Sequence, residues 1–191
     1  MIYIHLPAKN DSRSELLEKA ILAAKGNLGV DFEVYPIDTS TEDMLKKSDV
    51  VERMAAELYA GGYRRNETNV FFVRKGLKSE TTNFCFGGTM GKTIIISDDA
   101  IWNSNYIDAM KVAMMAYLIE HELGHAYKAA DDLHGEGIYD KHCLDEKCVM
   151  QQVVSVSELA QFARKNFLVR KKPGCFCNHC KKRFKRNYLS A

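Results

Sequence analysis

Residues 120 to 150 read EHELGHAYKAADDLHGEGIYDKHCLDEKCVM. The stretch opens on His121-Glu122-Leu123-Gly124-His125, carries four further His or Cys residues at His134, His142, Cys143 and Cys148, and closes on Met150, two residues after the last cysteine. On a helix, H-E-x-x-H sets two imidazoles one turn apart on one face, where both reach a single Zn²⁺. Glu122 then stands beside them as general base toward a water that the metal activates. This is the chemistry of a zinc peptidase. A catalytic zinc needs a third protein ligand, and Asp131, Asp132, His134 and His142 all stand near enough in sequence to supply it.

Upstream, Ile107, Met110, Ala113, Met114, Tyr117, Leu118 and His121 recur at i, i+3 and i+4. The spacing predicts a long helix from Asn103 or Ser104, both good N-caps, whose core stripe runs directly into His121 and His125. A buried helix of this kind delivers ligands to the floor of a cleft.

The segments before it predict an α/β arrangement. Ile2, Ile4 and Leu6 alternate with Tyr3, His5 and Pro7, as in a strand with one buried face. Ser12 with Glu15 forms a capping box ahead of Leu16, Leu17, Ala20, Ile21 and Ala24, and Gly26 offers a stop. Val30, Phe32 and Val34, running to Pro36 and Ile37, predict a second strand parallel to the first through a crossover. One helical region is expected from about Thr41 to Ala60, ended by Gly61 and Gly62. Val70 to Val73 reads as an interior strand. Thr81–Phe86 and Thr93–Ser97 read as strands around a glycine turn, Gly87-Gly88-Thr89-Met90-Gly91-Lys92. That turn is not a phosphate loop, because only three residues separate Gly87 from the Gly-Lys pair. Cys85, inside the first of these strands, reads as a small buried hydrophobe. Ser155 with Glu158 opens a last helix to about Leu168, and this capping box accounts for the one downstream glutamate a zinc could otherwise take as its third ligand.

With 191 residues, 46% of them hydrophobic and 27% charged, the composition is that of one soluble globular domain. The N-terminus lacks a basic region followed by an apolar run, and no apolar window is long enough to span a bilayer. A cytoplasmic protein is expected, with no membrane partner. Thiols stay reduced there, so the six cysteines, five of them between Cys143 and Cys180, read as metal ligands rather than disulfides. Beyond Glu158 the chain has ten Lys or Arg and no acid, which leaves residues 1–158 at a formal −8 against the overall +2.

His142-Cys143, four residues, Cys148, one residue, Met150, and the later Cys177-Asn178-His179-Cys180 resemble the archaemetzincin family of zinc metallopeptidases. The similarity spans roughly residues 85 to 180. The resemblance implies catalytic-zinc ligands His121, His125 and His142, general base Glu122, Met150 in the turn beneath that zinc, and a second, structural zinc on Cys143, Cys148, Cys177 and Cys180. It implies a metzincin-like zincin: a twisted mixed β-sheet packed on helices, a long active-site helix, then a small zinc-stapled C-terminal subdomain. The single catalytic domain, 1–191, would divide into a sheet and helix subdomain, 1–128, and a C-terminal subdomain, 129–191. A peptide would lie extended along an edge strand ahead of the active-site helix, with Thr81–Phe86 and Thr93–Ser97 the candidates.

Two places depart from the family pattern. Lys128 stands where the family has a glycine, and Asp131 stands at the family spacing for the third ligand, with His142 eleven residues later. Residues 129–141 read as an insertion. Asp131 keeps the spacing and has an oxygen for zinc, whereas His142 keeps its coupling to Cys143; His134 is a further candidate. In the tail, Cys175 competes with Cys177, and the tight loop of Cys177 and Cys180 makes those two the better pair.

Peptide or protein is therefore the expected substrate, hydrolysed with Glu122 as base and two Zn²⁺ per chain. A rival reading makes the chain a non-catalytic zinc protein whose four-cysteine module and basic tail bind nucleic acid or a protein partner. Nucleic acid is not the expected partner: four thiolates on Zn²⁺ leave a net −2 that accounts for Lys171, Lys172, Lys181, Lys182 and Arg183 nearby, and Phe176, Phe184 and Tyr188 make a thin stacking platform.

Overall fold

Alternating apolar residues make the first strand, β1 (Ile2–Leu6), and commit its two faces to different surroundings. Ile2, Ile4 and Leu6 point into the main core, while Tyr3 and His5 face the other way. The structure is a computed structural model that describes residues 1–7, 11–61, 63, 67–130, 142–143, 145–168 and 176–191, with only the backbone of Phe167 and Leu168. The described residues form a five-stranded mixed sheet in the order β2-β1-β3-β5-β4. Strands β2 (Phe32–Pro36), β1, β3 (Thr68–Val73) and β5 (Thr93–Ser97) run parallel. The edge strand β4 (Gly87–Met90) is antiparallel to β5. Strands β3 and β5 are buried along their whole length, which is why they read as unbroken apolar runs.

Helix α1 (Ser12–Leu28) and helix α5 (Asp108–Ala126) cover one face of the sheet and enclose the larger core. Helices α2 (Thr39–Lys46) and α3 (Val51–Ala60) cover part of the other, over Phe71, Val73 and Ile95. Helix α4 (Asp99–Trp102) is a single turn after β5, and α6 (Val156–Ala163) continues into a π-helical turn over 164–168. Helix α7 (Asn178–Leu189) ends the chain's regular structure. No helix among the described residues is long and apolar enough to cross a membrane.

Four sequence expectations are corrected. Helix α1 is capped by Asp11, whose Oδ1 accepts from the Ser14 N–H at 2.9 Å, and it runs through Gly26 to stop at Gly29, φ 65°. Arg74 clamps that Asp11 carboxylate at 2.6 Å, so the better-held acceptor takes the cap. The helix expected over Thr41–Ala60 is broken in two. Val51 N–H donates to Lys78 O, Lys78 N–H to Asp49 O, and the Lys75 ammonium binds the carbonyls of Leu45 and Ser48, so the segment 75–78 takes the backbone groups an unbroken helix would use. Helix α5 begins at Asp108 rather than at Asn103 or Ser104, because the Ser104 hydroxyl donates back to Ile101 O at 2.6 Å and closes α4 instead.

The fourth correction concerns the edge. Thr81–Phe86 is not a strand: its one β-bridge is Leu77 to Cys85, Phe86 O accepts from the Ser97 N–H at 2.7 Å, and the β4 ladder begins on the glycines themselves. A Cβ at Gly87 would stand 2.5 Å from Ile95 O, and one at Gly88 would stand 3.0 Å from Val51 Cγ1. Bare backbone is what lets β4 lie against both β5 and α3.

Candidate metal centre

Helix α5 is buried on nearly every side from Met114 to Gly124, and it carries His121 and Glu122 into the interior at 8% and 6% exposure. One turn separates His121 from His125, whose Nε2 atoms stand 3.1 Å apart. His142 arrives from the far side of the sequence, its ring centroid 5.3 Å from that of His121 and 5.0 Å from that of His125. The three rings each offer a nitrogen, and these nitrogens all lie within 4.8 Å of one another.

Two bonds pin the segment that follows His142 to α5, and a third closes the loop on itself. His121 Nδ1 donates to Val149 O at 2.7 Å, Tyr117 OH donates to Gln151 O at 2.8 Å, and Cys143 N–H donates to Met150 O at 2.8 Å. Met150 is fully buried against α5 at Gly124, where a Cβ would overlap its sulfur at 2.1 Å. Only glycine at 124 lets the methionine turn close against the helix.

These bonds also fix a tautomer. With Nδ1–H given to Val149, His121 presents a bare Nε2 lone pair to the other two rings, and burial pushes its pKa down to about 4, so it is neutral at neutral pH. Nitrogens facing each other at 3.1 Å need a proton or a cation between them. Zinc–nitrogen bonds of 2.0–2.1 Å in a tetrahedron set ligand nitrogens about 3.3 Å apart, so the donor set fits Zn²⁺.

Glu122 lines the same cleft as the three histidines, on the side where α5 faces β4. Burial raises its pKa to about 7, opposed by the Thr89 hydroxyl, which donates to Oε2 at 2.9 Å. Thr89 has no signature in the sequence: its role depends on a pairing across 33 positions that only the folded β4 creates. The cleft has a volume of about 960 Å³ and is walled by Phe84, Phe86, Tyr117 and Val153 around the histidines. Cys85, which the sequence reads as a buried hydrophobe, is only half-buried in its wall, and its thiol is pushed up to about 12 by burial.

A second cluster lies close by. The sulfurs of Cys143, Cys148, Cys177 and Cys180 are all within 4.8 Å of one another, and no disulfide joins them. Cys143 and Cys177 are 3.8 Å apart, the edge expected of a tetrahedron with zinc–sulfur bonds of about 2.3 Å. Cys148 Sγ accepts from the Cys177 N–H at 3.3 Å, and the Cys180 thiol together with such backbone donors pulls its pKa down to about 6. Burial pushes the Cys143 thiol up to about 11, and the bond to Cys148 pushes Cys180 up as well, so what fits Zn²⁺ here is the spacing of four sulfurs, with thiolate the form that would bind it. The other candidates named from sequence, Asp131, Asp132, His134 and Cys175, and the basic residues Lys171 and Lys172, lie outside the described residues.

Solved structures share this architecture across nearly the whole chain. The crystal structure of archaemetzincin from Methanopyrus kandleri aligns over 98% of this chain and 96% of its own with a TM-score of 0.66 at 18% identity. The fold is that of the archaemetzincins. The zinc-dependent peptidase from Methanocorpusculum labreanum aligns over 96% and 100% of the two chains, TM-score 0.61 at 16% identity. Archaemetzincin from Archaeoglobus fulgidus, complexed with malonate, aligns over 95% and 98%, TM-score 0.58 at 16% identity. No protein-family model matches the sequence, and a search of curated proteins finds no match.

The archaemetzincin fold gives the departure at Lys128 a physical meaning. Lys128 is the one non-glycine among the described residues with a positive φ, 51°. The chain keeps the left-handed turn after the active-site helix without the residue that makes it easy. Helix α7 holds it in place: Asn187 Nδ2 donates to Tyr127 O at 2.8 Å and Arg183 Nε to Lys128 O at 3.3 Å. Lys128→Gly should therefore raise stability by about 1 kcal/mol, a shift of roughly 2–4 °C in Tm. A scanning calorimetry trace showing no gain, or a loss, would mean the turn carries no strain.

Proposed function

We propose that this protein is a zinc-dependent peptidase of the archaemetzincin type. The observation that carries the reading is the convergence of His121, His125 and His142 beside a buried Glu122 that faces an open cleft. The three imidazoles would hold one zinc and the four cysteines a second. When bound, the catalytic zinc supplies Lewis-acid polarisation of a carbonyl and lowers the pKa of a water toward neutrality.

The chain's own residues supply the rest. Thr89 holds Glu122 Oε2, leaving Oε1, which lies beside Gly87, to take a proton from the attacking water and return it to the departing amine. A carboxylate held near pKa 7 is suited to both halves of that transfer at neutral pH. Among the described residues strand β4 pairs only with β5, so β4, rather than Thr81–Phe86 or the interior Thr93–Ser97, has an outer edge that would offer main-chain groups to an extended peptide. Phe84, Phe86 and Val153 line the space where side chains of such a peptide would fall.

Metal content per chain, measured with hydrolysis of an unstructured protein, tests this. Wild type should hold two zincs and be active. His142→Ala should hold one and be inactive, and Asp131→Ala should keep both. One zinc in wild type, or loss of zinc in Asp131→Ala alone, overturns the ligand assignment.

A further inference from the structure

The face of the sheet that α2 and α3 leave open, opposite α5, holds a second hollow of about 430 Å³. Its floor is aromatic. The His5 ring lies flat on Phe71, centroids 4.4 Å apart at 9°, and Tyr63 meets both rings edge-on at 5.5 and 4.8 Å. Tyr35 stands 6.2 Å from His5 and 6.0 Å from Tyr3, so rings from two neighbouring strands, with Tyr63, line the hollow together.

Its polar groups are one-sided. The Asp38 carboxylate accepts from the hydroxyls of Ser40 at 2.6 Å, Thr41 at 2.9 Å and Tyr63 at 3.4 Å. Those bonds hold Asp38 well below the usual carboxylate range, first through Ser40, so the charge is present at every physiological pH. They also commit the hydroxyl donors, leaving carboxylate charge and π faces to greet a ligand. Burial lowers the His5 pKa, so its ring is neutral and adds no positive charge. None of the described residues lining the hollow is Lys or Arg.

We propose that this hollow is a binding site for a small alkylammonium cation. Ring faces attract a cation through their negative quadrupole, and the Asp38 carboxylate, bonded by neutral donors only, keeps a negative charge that no described Lys or Arg lining the hollow balances. A phosphorylated ligand would meet only negative charge, and a sugar would find no uncommitted hydroxyl donors on Asp38's side. The cation could come as a free amine or as the head of a modified lysine side chain; both present the same chemistry.

The test titrates the full-length, zinc-loaded protein with choline and with its uncharged carbon isostere, dimethylbutanol, following the ring resonances of His5 and the tyrosines by NMR. Choline should bind about tenfold more tightly than the isostere. Asp38→Asn, which keeps an N-cap for α2, and Tyr35→Ala, at a residue 44% exposed, should each weaken choline roughly tenfold with the fold intact. Equal affinity for both probes, or binding that survives both variants, overturns the proposal. A trimethyl-lysine peptide run beside choline identifies the source by which binds more tightly. Arg64 and Arg65, between Tyr63 and Glu67 in sequence, lie outside the described residues, so the titration is repeated on Arg64→Ala/Arg65→Ala. Binding seen only in that background means the chain fills the site with its own cation, which overturns an external ligand.

Discussion

Glu122→Gln should remove hydrolysis by a factor of about 10²–10⁴ while leaving the metal content and the fold as they are. The substitution is isosteric, and an amide oxygen can still accept from the Thr89 hydroxyl that now holds Oε2 at 2.9 Å. Glu122 offers no atom to the three-nitrogen cluster, so zinc should remain on His121, His125 and His142. What disappears is the group that takes and returns a proton. The loss should fall on kcat far more than on KM, because the cleft walls that would bind a peptide are untouched. The measurement is kcat/KM on a quenched peptide library, with zinc per chain determined on the same preparation. Activity retained within a few-fold, in material free of contaminating protease, would show that another group moves the proton. Lost zinc would show that Glu122 helps to hold the metal, and the kinetic loss would then say nothing of its role as a base.

The asymmetry between what the sequence disclosed and what it withheld follows from the range of the forces involved. The parallel strands were legible because each is set by its own residues: alternation in Ile2–Leu6, a solid apolar run in Val70–Val73 and Ile94–Ile96. The active-site helix was legible from its stripe, and H-E-x-x-H from its spacing. Boundaries failed where a distant side chain competes for local backbone. Arg74 moves the cap of α1 to Asp11 across 63 positions, and Lys75 with Lys78 splits what the pattern of Met44, Leu45, Val51 and Met54 makes look continuous. Strand β4 was misplaced for a different reason. Its key residues, Gly87 and Gly88, are chosen for having no side chain, and a strand without side chains leaves no alternation to read.

The same logic divides the site. His121 and His125 meet because of helix geometry alone, whereas His142 joins them through bonds from Tyr117, His121 and Cys143 to the 149–151 turn. Thr89 reaches Glu122 only after β4 has folded onto β5. Lys128 shows the limit of reading a motif by letters: the glycine is gone, yet its left-handed backbone persists. The residues that secure that turn, Arg183 and Asn187, belong to the basic tail, whose charge the sequence explains by a nearby thiolate site but whose hydrogen bonds to 127–128 span some 55 to 60 positions and leave no local pattern.

Cys177→Ser should produce the largest loss of stability of any single change considered. Serine caps helices well, so the start of α7 at Cys177 is not itself disturbed; the substitution isolates the sulfur as a metal donor. Structural zinc on thiolates contributes on the order of 10 kcal/mol in small domains, so weakening one of four donors should cost several kcal/mol and lower Tm by about 10 °C or more. The damage should then travel along the chain. Helix α7 carries Asn187 and Arg183 to Tyr127 and Lys128 and packs Phe184 against Tyr127, ring centroids 5.2 Å apart, so releasing it frees a strained turn at the end of the active-site helix. Cys143 is the immediate neighbour of His142, so the third imidazole loses its anchor as well. One zinc should therefore be lost outright and the other held more weakly, with activity recovering in part when zinc is added in excess. Cys175→Ser, made alongside, should change neither Tm nor zinc content. If the two variants exchange behaviours, Cys175 is the fourth donor. If Cys177→Ser keeps both zincs and its full Tm, the four sulfurs do not hold a structural metal, and the tail is fastened by the packing of Cys180 and Phe184 and the bonds of Asn187 and Arg183.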